Sequence, residues 1–161
     1  GTTTVFTAVL KAGQHVLAEA EMIEYLGSSG LNSGVPTLWY KGPMGSGTPC
    51  FVITPKGVPL SFESTSKQMV SAIRDVAATL GQLESGCAVL HNDVSPSNIV
   101  LDAGGRAVLI DFHQARRKSP RTLALPSPGG KLDFMPLSRL DGKHTTLSGE
   151  LESLLYTLVY W

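Results

Sequence analysis

The stretch "AVLHNDVSPSNIVLD", residues 88–102, sets a histidine, a carboxylate and an amide between two apolar runs. Asp93 stands five positions before Asn98. Two readings compete for this spacing. One is a polar Asx-type turn between strands; the other is the working loop of an enzyme. The residues that follow bear on the choice. "NIVLD", "AGG" and "RAVLIDF" read as two short strands around a glycine turn. Strands joined by so tight a turn pair as a hairpin, which brings the start of the first to the end of the second. Asn98 and Asp111 would then share one edge, with Asp93 close by. A carboxylate plus an amide oxygen is the hard, all-oxygen donor set that Mg²⁺ favours when phosphates complete its shell. A second carboxylate, free of the metal, would accept a proton from an attacking hydroxyl. Lys11, in an apolar strand, would offer a cation to phosphate oxygens, and a glutamate on the next helix would hold that lysine in place.

The rest of the chain reads outward from this centre. "TTTVFTAVLKAG" (2–13) is β-branched and apolar and predicts a strand bracketed by Gly1 and Gly13. "HVLAEAEMIEYLG" (15–27) predicts a helix, with Val16, Ala20, Ile23 and Leu26 on one face and Gly27 as its stop. "VPTLWYKG" and "PCFVIT" predict two strands joined by "GPMGSGT". That glycine-rich run lacks the spacing of a phosphate loop, and no helix follows it, so it reads as an ordinary turn. Residues 66–85 carry the clearest helix, with Met69, Val70, Ile73, Val76, Ala77, Leu80 and Leu83 as an apolar stripe suited to a core. "RRKSPRTLALPSPGGK" reads as a long, mobile loop, and "ELESLLYTLVYW" as the start of a buried helix. Strands in the first third and helix in the middle point to an α+β chain.

Composition limits the function classes. Of 161 residues, 42% are hydrophobic and 16% charged, enough for one domain with a real core. Lysine plus arginine and aspartate plus glutamate each number 13, so no basic excess suggests a nucleic-acid partner. No apolar run approaches the roughly 20 residues that span a bilayer, and no membrane partner is expected. Cys50 and Cys87 make no disulfide framework and fit buried thiols in an intracellular compartment, cytoplasm or nucleus. The chain starts without Met and stops inside an apolar pattern, which reads as a fragment.

The motifs in order resemble those of the protein kinase superfamily. "HNDVSPSN" is similar to its catalytic loop, His-Arg-Asp then four residues and Asn, and "IDFHQA" to its Asp-Phe-Gly segment. "FTAVLKAG" resembles its Val-Ala-Ile-Lys strand, "AEAEMIEYLGSSG" the partner helix C, and "FMPLSRL" the Ala-Pro-Glu segment. With "FVITPKGVPL" and "ELESLLYTLVYW", the likeness is greatest to fungal-type protein kinases. The resemblance implies a truncated bilobal fold. Residues 1–60 would form part of the N-lobe and hinge, and 61–161 the first part of the C-lobe to the start of helix F, with an activation-type loop at 111–137. It implies an ATP- and Mg²⁺-dependent phosphotransferase acting on a protein Ser or Thr hydroxyl. Asp93 would be the catalytic base, Asn98 and Asp111 the Mg²⁺ ligands, and Lys11 the contact to the α- and β-phosphates. Lys11 would be held by Glu19, or by Glu24 if the connection bends. The adenine would lie between Val9 and Val100, with "ITPKG" giving hinge hydrogen bonds. His91 would pack on Phe112 as a structural residue.

Departures from the pattern define the alternatives. The glycine-rich loop is absent. Asn92 replaces an arginine, and an asparagine cannot form the bidentate phosphate pair. Ser95 stands where Ser/Thr kinases carry a lysine on the transferring phosphate. His113 replaces a glycine, and Glu150 a buried aspartate that anchors the loop. A catalytically weak pseudokinase or interaction module is therefore a second reading. A small-molecule kinase of aminoglycoside or choline type is a third, because it shares the Asp-x4-Asn loop and the later Asp.

Overall fold

The β-branched run before Lys11 forms strand β1 (Val9–Ala12) of a computed structural model that describes residues 7–61, 64–118 and 130–161. The strand is shorter than the expected 2–13; residues 1–6 lie outside the described ones, and Thr7 and Ala8 are not in a strand. Helix α1 (Val16–Ser28) buries Glu19, Ala20, Ile23 and Leu26, at spacings of one, three and three. It runs past Gly27, and the left-handed turn that ends the segment falls at Gly30, with φ of +86°. Strands β2 (Thr37–Pro43) and β3 (Pro49–Thr54) complete an antiparallel sheet in the order β1-β3-β2. The central strand β3 is the most buried, as its run "PCFVIT" requires.

A short strand β4 (Val58–Pro59) leads into helix α2 (Ser66–Cys87). Thr65 caps α2: its Oγ1 accepts from the Gln68 N–H at 3.2 Å, and its own N–H donates to Gln68 Oε1 at 2.9 Å. The buried face of α2 is Ala72, Val76, Thr79, Leu80, Leu83 and Cys87. Val70, expected in this stripe, is 65% exposed; the buried face takes in Ala72 and Thr79 instead, and Thr79 lies against Gly34. After the helix come β5 (Val89–Leu90), β6 (Ile99–Leu101) and β7 (Ala107–Leu109), with β6 and β7 paired antiparallel, Ile99 opposite Leu109. Strand β8 (Arg116–Arg117) pairs with β5, so the segment expected as a loop from Arg116 begins as a strand; its residues 119–129 lie outside the described ones. Helices α3 (Leu137–Leu140) and α4 (Leu147–Tyr160) follow, and α4 packs on α2.

One buried cluster runs through both parts of the fold, from Ile23, Leu26 and Phe51 to Leu80, Leu83, Leu109, Phe112 and Leu154. Each such side chain contributes about 1.5–3 kcal/mol by leaving water. Both cysteines are buried and free. Among the described residues no helix is long and apolar enough to cross a membrane.

The two parts also meet through backbone. The carbonyl of Gly34, between α1 and β2, accepts the Leu109 N–H at 2.9 Å. Gly34 has φ of +73°, and a Cβ there would stand 2.0 Å from Thr79 Oγ1. Both the left-handed backbone and the close approach to α2 require glycine. Gly34→Ala is therefore expected to destabilise by about 2–4 kcal/mol, strain and overpacking together. Gly47→Ala, with φ of +81° and open space around it, should cost only the backbone strain, about 1–2 kcal/mol. Thermal unfolding of both variants measures the difference; equal shifts would contradict the packing argument.

Candidate active site

His91 follows β5 and is fully buried. Its ring meets Phe112 edge-on, with centroids 4.7 Å apart. Its Nε2 donates to the Ile110 carbonyl at 3.1 Å, while Nδ1 accepts from the Asp93 N–H at 3.3 Å. Burial lowers its pKa to about 4, against the backbone hydrogen bond and the nearby Asp93 and Asp111, which raise it. A neutral, fixed imidazole of this kind positions the loop rather than titrating within it.

Asn92 takes the left-handed conformation, φ +66°, which asparagine tolerates better than most residues. Its side-chain Nδ2 donates to the Leu90 and Gln114 carbonyls, both at 3.2 Å. The amide thus serves the fold. Its backbone is held from two sides: the N–H donates to Glu150 Oε1 at 2.7 Å, and the carbonyl accepts from Arg139 Nη1 at 2.6 Å.

The short 3-10 turn Pro96–Asn98 folds Asn98 back onto Asp93. Asn98 Nδ2 donates to the Asp93 carbonyl at 2.8 Å and to Asp93 Oδ2 at 2.9 Å. That orientation turns Asn98 Oδ1 away from Asp93, and Ser97 Oγ donates to it at 3.3 Å. The β6–β7 register then brings up Asp111, because the Ile110 N–H bonds the Asn98 carbonyl at 2.8 Å. Asp111 itself is left-handed, φ +66°, with a partly exposed side chain. His113, which replaces the expected glycine, is exposed and lies outside the left-handed region, so its Cβ costs this conformation nothing.

Lys11 reaches the site from β1. Its Nζ donates to Glu19 Oε1 at 2.7 Å and Oε2 at 2.9 Å, and lies 3.7 Å from Asp111 Oδ1. Glu24 instead pairs with Lys41 at 2.6 Å, so Glu19 is the partner of Lys11. Glu19 Oε1 also accepts the Phe112 N–H at 3.2 Å. The structure thus brings Lys11, Glu19 and Asp111 together, and Asn98 and Asp93 together, with the Ile110 N–H joining the two groups at the Asn98 carbonyl. Val9 lies in β1, and Val100 lies in β6 against Gly57. In the hinge stretch Pro55 has no N–H, and the Lys56 N–H is engaged by the Thr7 carbonyl at 3.1 Å, which limits the donors left for a nucleotide.

The donor set fits Mg²⁺. Asn98 Oδ1 and the Asp111 carboxylate are hard oxygens, and two protein ligands with phosphates are what that ion takes. Among the described residues no group of three His, Cys, Asp or Glu could hold a metal ion by itself.

Two residues of this centre were not legible locally. Arg139 is 5% exposed and supports the Asn92 carbonyl. Lys131 donates its backbone N–H to Asp93 Oδ1 at 3.2 Å. Lys131 lies 38 positions from Asp93 and Arg139 47 from Asn92, with no sequence pattern linking them to the loop.

A family model described as fungal protein kinase matches residues 46–161. Serine/threonine-protein kinase PknD of Mycobacterium tuberculosis is 30% identical over 95 residues, covering 58% of this chain and 14% of that protein. Among solved structures, vaccinia related kinase 3 superposes with a TM-score of 0.68 at 18% identity, covering 96% of this chain and 57% of the other. The PK-1 kinase of Cydia pomonella granulovirus gives a TM-score of 0.71 at 12% identity, covering 94% and 59%. The chain thus spans a seventh of PknD and less than two thirds of either solved kinase.

Glu150 links this geometry to pH. Burial drives its pKa from near 4.5 to about 7, although the Asn92 and His91 N–H groups and Arg139 pull it down. Between those values the folded chain holds a proton that the unfolded chain has released. Its contribution to stability therefore falls as pH rises through the window. His91 acts oppositely: from about pH 6.5 down to about 4 the unfolded chain gains a proton that the folded chain refuses, so acid destabilises. Glu150→Gln keeps an acceptor for Asn92 and removes the first slope. Its thermal midpoint relative to wild type should rise by several degrees between about pH 5 and about pH 7.5, reflecting on the order of 3 kcal/mol. A difference independent of pH would overturn this reading.

Proposed function

The chain belongs to the fungal protein kinases, and from that membership we propose that it forms the catalytic centre of an ATP- and Mg²⁺-dependent kinase acting on protein Ser or Thr hydroxyls. The observation that carries this reading is the pair of contacts from Lys11 to Glu19 and Asp111 and the bond from Asn98 to Asp93, joined by the Ile110 N–H on the Asn98 carbonyl. These are the groups that a positioning and charge-stabilising catalyst of phosphoryl transfer needs.

In this reading Lys11 binds the α- and β-phosphates, and Glu19 fixes the ammonium where those oxygens lie. Asn98 Oδ1 and Asp111 would hold Mg²⁺, which when bound would supply positive charge to the phosphates. Asp93, oriented by the Asn98 amide, accepts the proton of the attacking hydroxyl. Val9 and Val100 enclose the adenine. His91 takes no part in proton transfer, being buried and neutral above about pH 4. The Ser/Thr preference rests on the likeness to PknD, a serine/threonine-protein kinase.

The full-length protein tests this. Phosphate transfer from Mg·ATP to a protein acceptor should fall about 10²–10⁴-fold in Asp93→Ala and by about 10²-fold or more in Asp111→Asn and Glu19→Ala. Glu24→Ala, which loses only an exposed pair with Lys41, should stay within about twofold. Phosphoamino acid analysis should find phosphoserine or phosphothreonine. Nucleotide binding without transfer would favour the interaction-module reading, and transfer to amino alcohols or sugars alone the small-molecule one. Transfer that survives Asp93→Ala and Asp111→Asn would sink the assignment.

A further inference from the structure

The loop from His91 to Asn98 contains no lysine or arginine. Its carboxylate, Asp93, faces the place where an incoming phosphoryl group would gather negative charge, so a cation on that side is missing from the loop itself. The structure supplies one from elsewhere. Lys131 Nζ hydrogen-bonds Ser97 Oγ and lies 3.4 Å from Ser95 Oγ. Its backbone N–H is on Asp93 Oδ1 at 3.2 Å. The approach is built in by the preceding residue: Gly130 has φ of +93°, and a Cβ there would come 2.9 Å from Asp93 Oδ1 and 3.0 Å from the Asn92 carbonyl. Only glycine lets the chain pass this close to the carboxylate.

The partners of the ammonium matter as much as its position. Among the described residues Lys131 makes no salt bridge, whereas Lys11, Lys41, Lys118 and Lys143 each do. Two serine hydroxyls hold it, and hydroxyls orient a cation without neutralising it. Ser95 is fully buried, which fixes one side of this cradle.

We propose that Lys131 is a catalytic residue of this site, its ammonium binding a non-bridging oxygen of the phosphoryl group as it passes from ATP to the acceptor hydroxyl. The proposal rests on the phosphotransfer reading above and adds a residue to it. In the step, the acceptor oxygen bonds the γ-phosphorus, the bond from that phosphorus to the β–γ bridging oxygen breaks, the hydroxyl proton goes to Asp93, and ADP leaves. Lys131 neither gains nor loses a proton; it stabilises charge on the equatorial oxygens. Ser95 thus occupies the place for which the kinase resemblance implies a lysine, and the charge returns to that place from the far end of the 111–137 segment.

The test uses the full-length protein with Lys131→Ala and Lys131→Arg. Steady-state transfer from Mg·ATP, and binding of Mg·ADP with and without tetrafluoroaluminate as a mimic of the moving phosphoryl group, are the readouts. Lys131→Ala should lower kcat about 10²–10³-fold with KM for ATP within about threefold. It should weaken the tetrafluoroaluminate complex by a similar factor while Mg·ADP binding stays unchanged, and Lys131→Arg should keep at least about a tenth of the activity. Transfer by Lys131→Ala within about threefold of wild type would overturn the proposal and leave the phosphotransfer reading standing. So would an equal loss of Mg·ADP binding, or an arginine variant as inactive as the alanine one. A wild-type protein that neither transfers phosphate nor binds Mg·ADP would overturn both.

Discussion

Glu19 is 4% exposed, and its carboxylate receives the Lys11 ammonium on both oxygens and the Phe112 N–H on one. These donors come from strand β1 and from the segment after β7, so one buried charge joins the three-stranded sheet, helix α1 and the β6–β7 hairpin. A buried carboxylate is stable only if its oxygens are paired in good geometry. The requirement fixes the rotation of α1 and the depth at which Lys11 enters. With Lys11 placed, its 3.7 Å approach to Asp111 follows. The constraint stabilises an arrangement as much as a fold: if α1 swung away, the Lys11–Glu19 pair and the bond from the Phe112 N–H would be lost together.

A second set of buried polar contacts supports the loop from below. Glu150 and Arg139 grip the backbone N–H and carbonyl of Asn92 from opposite sides, at 2.7 and 2.6 Å. Glu150 Oε2 and Arg139 Nε have no partner among the described residues. Burial therefore dominates the Glu150 pKa and lowers that of Arg139 as well. Such a half-paired cluster adds little net stability. Its effect is to hold one residue in the left-handed conformation, and so to set the direction in which Asp93 leaves the chain. The upper and lower sets meet at Phe112, whose N–H binds Glu19 and whose ring packs on His91.

The site was legible wherever its members lie close in sequence. Asp93 and Asn98 are joined across a single turn, and Asn98 and Asp111 across a single hairpin, so spacing alone brought them together. Lys11 and Glu19 are eight positions apart across one bend, which left Glu24 open as an alternative. The structure removes it by giving Glu24 a nearer cation in Lys41 of β2. The misreadings have local causes. The buried face of α2 takes in Thr79 because that side chain lies against Gly34, a demand of packing and not of hydropathy. Residues Arg116–Arg117 form a strand because β5 offers them a partner, although their own side chains are exposed.

By itself the sequence determined the order of elements and the hairpin that sets Asp111 one residue past the partner of Asn98, because apolar periodicity and turn chemistry act over a few residues. Its resemblance to the kinase loop also marked Asn92 and Ser95 as places where an arginine and a lysine are expected. Only the tertiary structure decided what stands in those places. Asn92 binds backbone carbonyls with its own amide, and Arg139 and Lys131 bring cations to the loop from 47 and 36 positions away, the first to the Asn92 carbonyl and the second towards Ser95. Long-range polar contacts of this kind leave no periodic trace. They depend on where the chain returns, and that is set by the packing of α4 on α2 and by the close passage of Gly130 over Asp93.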